Sequence, residues 1–189
     1  MGQHPHYFIG IPIPEELRSW LSSWQEEISS AAMYKTWTNE EDFHITLKFL
    51  GGMNTAQFDR VAELIDNLEP PEVFFTEIGD LGFFGKKSQP RVVWAGVDPS
   101  PSLLGLQNQI EEKLSELGIE QDHRPYKPHI TLAKKWADPD SSLPSREELK
   151  GNLPGPITQR MLIDEFHIYQ IEPQKEVKYK PILTKKLKE

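Results

Sequence analysis

Apolar positions recur along this chain in two rhythms, and the switches between them mark its elements. Residues 6–11 (His-Tyr-Phe-Ile-Gly-Ile) and 91–97 (Arg-Val-Val-Trp-Ala-Gly-Val) are near-continuous apolar runs. That is the pattern of buried strands. Pro14, with Glu15 and Glu16 behind it, suits a helix start, where the dipole favours acids. Leu17, Trp20, Leu21, Trp24 and Ile28 then fall on one helical stripe, which reads as core packing rather than a stacking platform for a ligand, and a loop follows it up to the strand at 43–50. Asn54 with Gln57 predicts a second helix start. Its stripe is Phe58, Val61, Ala62, Ile65 and Leu68, and Pro70-Pro71 stops it. Residues 73–78 read as a strand and 80–89 as a loop. Ser100 as N-cap and Pro101 as first helical residue open a third helix, with the stripe Leu103, Leu106, Ile110, Leu114 and Leu117 and a stop at Gly118. Residues 138–156, rich in Pro, Ser, Gly and charge, read as an excursion with one helical turn near Arg146. Residues 161–171 and 177–187 read as closing strands.

Two further strands share one spelling. His-Ile-Thr-Leu occurs at 44–47 and again at 129–132, 85 positions apart. Side chains alternate across a strand. Ile45, Leu47 and Phe49 are therefore expected on one face, with His44 and Thr46 on the other. Ile130 and Leu132 likewise oppose His129 and Thr131. Each imidazole then stands about 7 Å from a hydroxyl along its strand. The order strand, Pro-initiated helix, His-x-Thr strand appears twice, with the prolines at 14 and 101, 87 apart. Two periods agreeing this closely point to a duplicated α+β unit. Two such lobes can bring the His-Thr pairs together across a groove. The expected organisation is one bilobal domain over 1–189.

The chain has 189 residues and no Cys. It is long enough for a substantial core without staples, and disulfides and Cys-ligated metals are excluded. No apolar run approaches the ~20 residues of a transmembrane helix. The opening Met1-Gly2-Gln3-His4-Pro5-His6 has no basic region followed by an apolar stretch, and His6 stands where a myristoylation motif needs Ser or Thr. A cytoplasmic protein without membrane attachment or an obligate protein partner is expected. The net charge of −8 argues against a general basic coat for nucleic acid. Charge is uneven, however. Residues 121–136 carry Arg124, Lys127, Lys134 and Lys135 against Asp122, and residues 84–91 carry Lys86, Lys87 and Arg91 with no acid. A local basic patch beside His129 suits a few phosphates.

Paired imidazoles suit joint acid and base work, because histidine titrates near pH 6.5. In-line phosphodiester cleavage needs a base on the attacking side and an acid on the leaving side. Hydroxyls of Thr46 and Thr131 could hold nonbridging oxygens. Metal ligation is the rival reading, but neither motif has a carboxylate or third ligand at helical or loop spacing. A serine triad has no Gly-x-Ser-x-Gly to start from.

At these residues the chain resembles the two-histidine (2H) phosphoesterases, named for paired His-x-Thr-x motifs. Within them it is most similar to the RNA 2′,3′-cyclic phosphodiesterases of bacteria and archaea, also called 2′-5′ RNA ligase-like proteins. Residues 8–11, 43–51, 91–97 and 124–134 carry the resemblance. It implies an α+β bilobal fold of two antiparallel sheets flanked by helices around a central cleft. It implies that His44 is the proton donor and His129 the proton acceptor, with Thr46 and Thr131 on the phosphate. Some relatives carry Arg three residues after the second Thr; Lys134 here keeps the charge without the bidentate fork. Phe49 matches a position that stacks on the base in relatives, although simple alternation puts it on the core face. The histidines at 4, 6, 123 and 167 match no motif and read as surface or packing residues. The implied substrates are RNA 3′ ends or nucleotides bearing a 2′,3′-cyclic phosphate, hydrolysed without metal or cofactor, with reverse 2′-5′ ligation possible in the family. Two other readings stay open: a 2H enzyme for a small cyclic phosphate or a 2′-5′ linkage, and an RNA-end-binding module with a vestigial pair.

Overall fold

Two antiparallel sheets divide the strands of this chain in a computed structural model that describes residues 4–189. The signal-peptide and myristoylation readings turn on Met1 to Gln3, which lie outside the described residues. In chain order the elements are β1 (His6–Pro12), α1 (Glu15–Ala31), β2 (Tyr34–Trp37), a 3₁₀ turn (Glu40–Asp42), β3 (His44–Gly52), α2 (Thr55–Asp66), β4 (Phe74–Gly85), β5 (Pro90–Val97), α3 (Pro101–Ser115), β6 (His129–Trp136), α4 (Arg146–Asn152), β7 (Thr158–Ile163), β8 (Glu165–Ile171) and β9 (Tyr179–Lys186). The first sheet has the order β3-β1-β8-β9 and the second β2-β6-β5-β4-β7. The two apolar runs, β1 and β5, are interior strands, and each pairs with one of the His-x-Thr strands, β3 and β6. Among the described residues no helix is long and apolar enough to cross a membrane.

The helices form where their caps say. Asn54 and Gln57 make a reciprocal capping box on α2, and the Ser100 side chain accepts from Leu103 N at the start of α3. The stripes face inward: Leu17, Trp20, Leu21, Trp24 and Ile28 of α1 are all buried, as are Leu103, Leu106, Ile110 and Leu114 of α3. The helices also tie the sheets together. α1, which follows a strand of the first sheet, touches β6 of the second; α3, which follows a strand of the second, touches β3 of the first. The Gln25 side chain on α1 donates to the carbonyls of Thr38 and Leu132. Lys48 on β3 and Glu111 on α3 form a buried ion pair at 2.8 Å, and Lys48 also donates to Glu120 O. The apolar core draws on both sheets, from Ile9, Ile45 and Leu47 to Val93, Ile130 and Leu132.

Four expectations are corrected. Residues 80–89 are not a loop, because β4 runs on to Gly85 and pairs with β5, leaving a short hairpin turn. The strand survives the Gly-Asp interruption through an irregularity: Gly79 and Asp80 both have positive φ, and Asp80 is fixed by Arg146 and Lys150. The single closing strand expected over 161–171 is two, broken at Asp164, and its halves enter different sheets. The stretch before the first motif, read as loop, contains β2, which forms the edge beside β6.

The fourth correction decides the site. In β3, Gly10 pairs with Thr46 and Ile9 with Lys48, so the ladder skips Leu47. In β6, Trp94 pairs with Thr131 and Val93 with Ala133, so it skips Leu132. The same bulge thus stands at the same place in both copies. An extra residue reverses the alternation downstream. Lys48 is buried where a polar face was expected, and Phe49, expected in the core, is 67% exposed. Lys134 is the counterpart of Phe49 in the second copy, on the far side of the same bulge.

Candidate active site

Both motif histidines are held by the same device. His44 Nδ1 lies 2.7 Å from the carbonyl of Asp42, and His129 Nδ1 lies 2.7 Å from that of Lys127. A carbonyl can only accept, so each Nδ1 carries the hydrogen. When the ring is neutral, the lone pair therefore sits on Nε2. His44 Nε2 is 3.0 Å from Thr46 Oγ1, which donates to it. No counterpart of this bond joins His129 to Thr131 among the described residues, so the copies differ there.

Asp42 does more than present its carbonyl. It is buried, and its carboxylate accepts from Lys178 N (3.1 and 2.9 Å) and Tyr179 N (3.0 Å). The residue that fixes the His44 ring is thus bonded to the start of β9. Asp42 did not stand out in the sequence, and Lys127 did so only as one cation of the patch beside His129, not for its carbonyl. Their common signal is their place, each two residues before its histidine.

The walls are aromatic. His44 is flanked by Phe8 at 4.6 Å, Tyr179 at 5.0 Å edge-on and Tyr169 at 6.1 Å between centroids. The ring of Phe8 reaches His44 across Gly10. A Cβ on Gly10 would sit 3.2 Å from Phe8 Cε2, 3.4 Å from His44 Cδ2 and 3.1 Å from Ile45 O, a close approach that favours glycine. His129 is flanked by Phe84 at 5.0 Å and Trp94 at 5.8 Å, and Lys127 Nζ lies over both of those rings. Trp94 in turn lies against Gly82, where a Cβ would collide with its ring.

This enclosure sets the charge state. Burial pushes the His44 imidazole down to about 4. The Asp42 carbonyl acts the other way, and the charges of His129 and Lys134 lower it further. His129 is also lowered, first by burial, with the Lys127 charge adding to the effect. The Lys134 ammonium is lowered by burial and by the nearby cations of Lys178 and Lys135. At neutral pH both imidazoles are therefore neutral, and each can accept a proton at Nε2.

Thr46 and His129 border one cavity of about 430 Å³ with Phe49, Phe84, Tyr126 and Lys127. The Tyr126 hydroxyl donates to Thr46 O at 2.8 Å, joining the segment before β6 to β3. Lys134 borders a second cavity of about 660 Å³ with Asp42, Lys178 and Tyr179, and its charge still reaches His44. Thr131, half-buried opposite Trp94, borders neither of these cavities. His167 packs in the sheet against Thr184 and Glu165, and His123 is exposed, as expected of histidines outside the motifs. Among the described residues no three His, Asp or Glu side chains are grouped to hold a metal ion.

Comparison with known proteins gives these features a context. The family described as AKAP7 2′5′ RNA ligase-like domain matches residues 5–179. A protein of Geobacillus stearothermophilus named RNA 2′,3′-cyclic phosphodiesterase is 33% identical over 178 residues, covering 94% of this chain and 55% of that protein. The chain thus spans about half the length of that relative. A protein of the same name from Bacillus subtilis (strain 168) is 30% identical over 184 residues, 94% of each chain. Among solved structures, E. coli LigT complexed with 3′-AMP superposes with a TM-score of 0.77 at 24% identity, covering 98% of this chain and all of that one. A Thermus thermophilus protein, TT0787, gives 0.74 at 23%, covering 96% and 97%. These likenesses establish the shared fold.

Proposed function

We propose a function from one premise: the chain belongs to the 2′5′ RNA ligase-like family. It is an RNA 2′,3′-cyclic phosphodiesterase, a hydrolase that opens a terminal 2′,3′-cyclic phosphate to a 2′-phosphate, and residues 1–189 work as one bilobal unit. The observation that carries this reading is the paired anchoring of His44 and His129 through Nδ1, which leaves Nε2 of both as the working nitrogen.

In this mechanism water attacks phosphorus as His129 Nε2 takes its proton, and the bond to the 3′ oxygen breaks as His44 Nε2–H protonates it. One proton is gained and one given, so the pair ends in the opposite state and resets through solvent. His44 must carry a proton that burial disfavours. The anionic phosphate supplies the missing charge, because a negative group beside an imidazole favours its cation. Thr46 and Thr131 hydroxyls bind nonbridging oxygens, and Lys134 adds a positive charge near them. Phe49, Phe84 and Tyr126 line the aromatic cavity for the terminal nucleoside, Phe49 exposed there as a stacking face. No step calls on a metal or cofactor.

Phosphorus NMR of the purified protein with 2′,3′-cyclic nucleotides and a cyclic-phosphate-ended oligonucleotide, in excess chelator, tests this. The expected product is the 2′-phosphate alone. A 3′-phosphate, or activity that vanishes with EDTA and returns with Zn²⁺ or Mn²⁺, would overturn it.

A further inference from the structure

The two basic stretches that stand out in the sequence, one around 84–91 and the other ending at Lys135, meet in the fold at a place the reaction does not use. The β4–β5 hairpin brings Lys86 and Arg91 beside the end of β6, where Lys135 and Trp136 lie, and Lys35 of β2 joins them from the sheet edge. Lys35, Lys86, Arg91, Gln89, Trp136 and Pro139 bound a cavity of about 640 Å³. Lys35, Lys86, Lys87, Arg91 and Lys135 are all exposed, and among the described residues none of the five forms an ion pair. Asp138 and Asp140 follow Trp136 in the chain, and Asp138 Oδ1 accepts from Asp140 N. On a chain of net charge −8 this is a concentrated positive surface.

Backbone geometry adds an independent sign. Among the described residues the non-glycine residues at positive φ are Asp80 and Lys135 (φ 66°). Asp80 is compensated by its ion pairs with Arg146 and Lys150, whereas Lys135 sits in this disfavoured region with its ammonium free. The pocket is also rigid on one side: Gln89 donates to the carbonyls of Pro139 and Ser141, and the Trp136 indole N–H donates to Asp138 O. The place adjoins the residues of the catalytic cleft along the β4–β5 hairpin. Phe84 stands against His129, and the next residue, Gly85, lines the basic pocket. Along β6, His129 to Trp136 spans roughly 20 Å at the usual rise per residue. A mononucleotide seated at His129 does not reach that far, whereas a chain of several nucleotides does.

We propose that this pocket is a second RNA-binding site, which holds the backbone of a single-stranded RNA upstream of its cyclic-phosphate end. Clustered cations beside an aromatic ring are what a single-stranded nucleic acid requires, charge for its phosphates and a flat face for a base. The proposal rests on the phosphodiesterase reading for the RNA end, and it makes the enzyme selective for chains over free cyclic nucleotides.

The test compares the native chain with the triple variant Lys35→Glu, Lys86→Glu, Arg91→Glu, on a 2′,3′-cyclic mononucleotide and on cyclic-phosphate-ended oligonucleotides of increasing length. Native kcat/KM should rise with length. The variant should lose roughly tenfold or more on the long substrates at low salt, with a salt slope shallower by about 2, and keep the native rate on the mononucleotide. An identical length dependence in both proteins overturns the proposal. If the native chain turns over neither substrate, the functional reading has failed, and fluorescence anisotropy with plain single-stranded RNA decides the site alone. Weaker binding by the variant then upholds it, and equal binding overturns it. Polyglutamate bound as tightly as RNA would also overturn it, since the surface would then serve an acidic protein. If charge reversal prevents folding, the corresponding Gln variants give the same comparison with smaller losses.

Discussion

The lowered His44 imidazole makes the stability of the whole protein depend on pH in a way one substitution can isolate. His44 in the folded chain titrates at about 4 because Phe8, Tyr169 and Tyr179 enclose it and no carboxylate compensates. In the unfolded chain it titrates near its ordinary value of about 6.5. As pH falls below 6.5 the unfolded state takes up a proton that the folded state refuses, so stability falls. The loss continues until the folded imidazole also protonates, near pH 4, and then levels. Between pH 7 and pH 5 the two titration curves separate by about 2 kcal/mol for this one group. His44→Asn keeps a donor for the Asp42 carbonyl and removes the titration. Urea unfolding of both proteins at a series of pH values from 7 to 5 should show the native chain losing about 2 kcal/mol more than the variant, since the remaining titrating groups are common to both. Saturating inorganic phosphate should shrink the difference, because an anion beside the ring favours its cation. Parallel curves for the two proteins, with or without phosphate, would refute the reasoning: His44 would then be as solvated as a free imidazole, and the aromatic enclosure would not control its charge.

The same shifts shape the rate. The proposed mechanism requires one proton on the pair, and both imidazoles are lowered, so log kcat/KM for a cyclic nucleotide should fall with slope near −1 as pH rises above 6.5, and a flat profile there would contradict it. His44→Ala and His129→Ala should each cost about 10²–10⁴ in turnover, and the double variant should cost far less than the product of the two losses; strict multiplicativity in steady-state assays would mean the rings do not share a step. Lys48→Met should destabilise by roughly 3–5 kcal/mol by stranding Glu111, and adding Glu111→Leu should restore most of it; a neutral single variant in denaturant titration would show that the pair is not isolated from water. Asp42→Ala removes the acceptor of the Lys178 and Tyr179 amides and should both lower the unfolding midpoint and reduce kcat more than it raises KM, with Asp42→Asn intermediate; unchanged kcat would mean that the Asp42 carbonyl holds its place without its side chain.

Local chemistry wrote much of this protein into its sequence. Apolar stripes at helical spacing and caps such as Asn54 and Ser100 located three helices, because these signals act within one or two turns. The repeated His-Ile-Thr-Leu located both imidazoles and hydroxyls, since a strand places side chains by counting. Counting fails where hydrogen bonding to a neighbouring strand changes the phase. Only the ladders to β1 and β5 reveal that Leu47 and Leu132 are bulged, which turned Phe49 from the core to the cleft and buried Lys48 against Glu111. Likewise no local signal distinguishes residues 161–171 as one strand or two, because the break at Asp164 depends on which sheet each half joins. The charge of the histidines belongs wholly to the tertiary structure. It is set by rings from β1, β4, β5, β8 and β9 that lie far apart in the chain, and by carbonyls whose identity a sequence does not advertise. The basic stretches were visible as composition, but that they converge with Lys35 on one pocket was decided by the packing of a hairpin against a sheet edge.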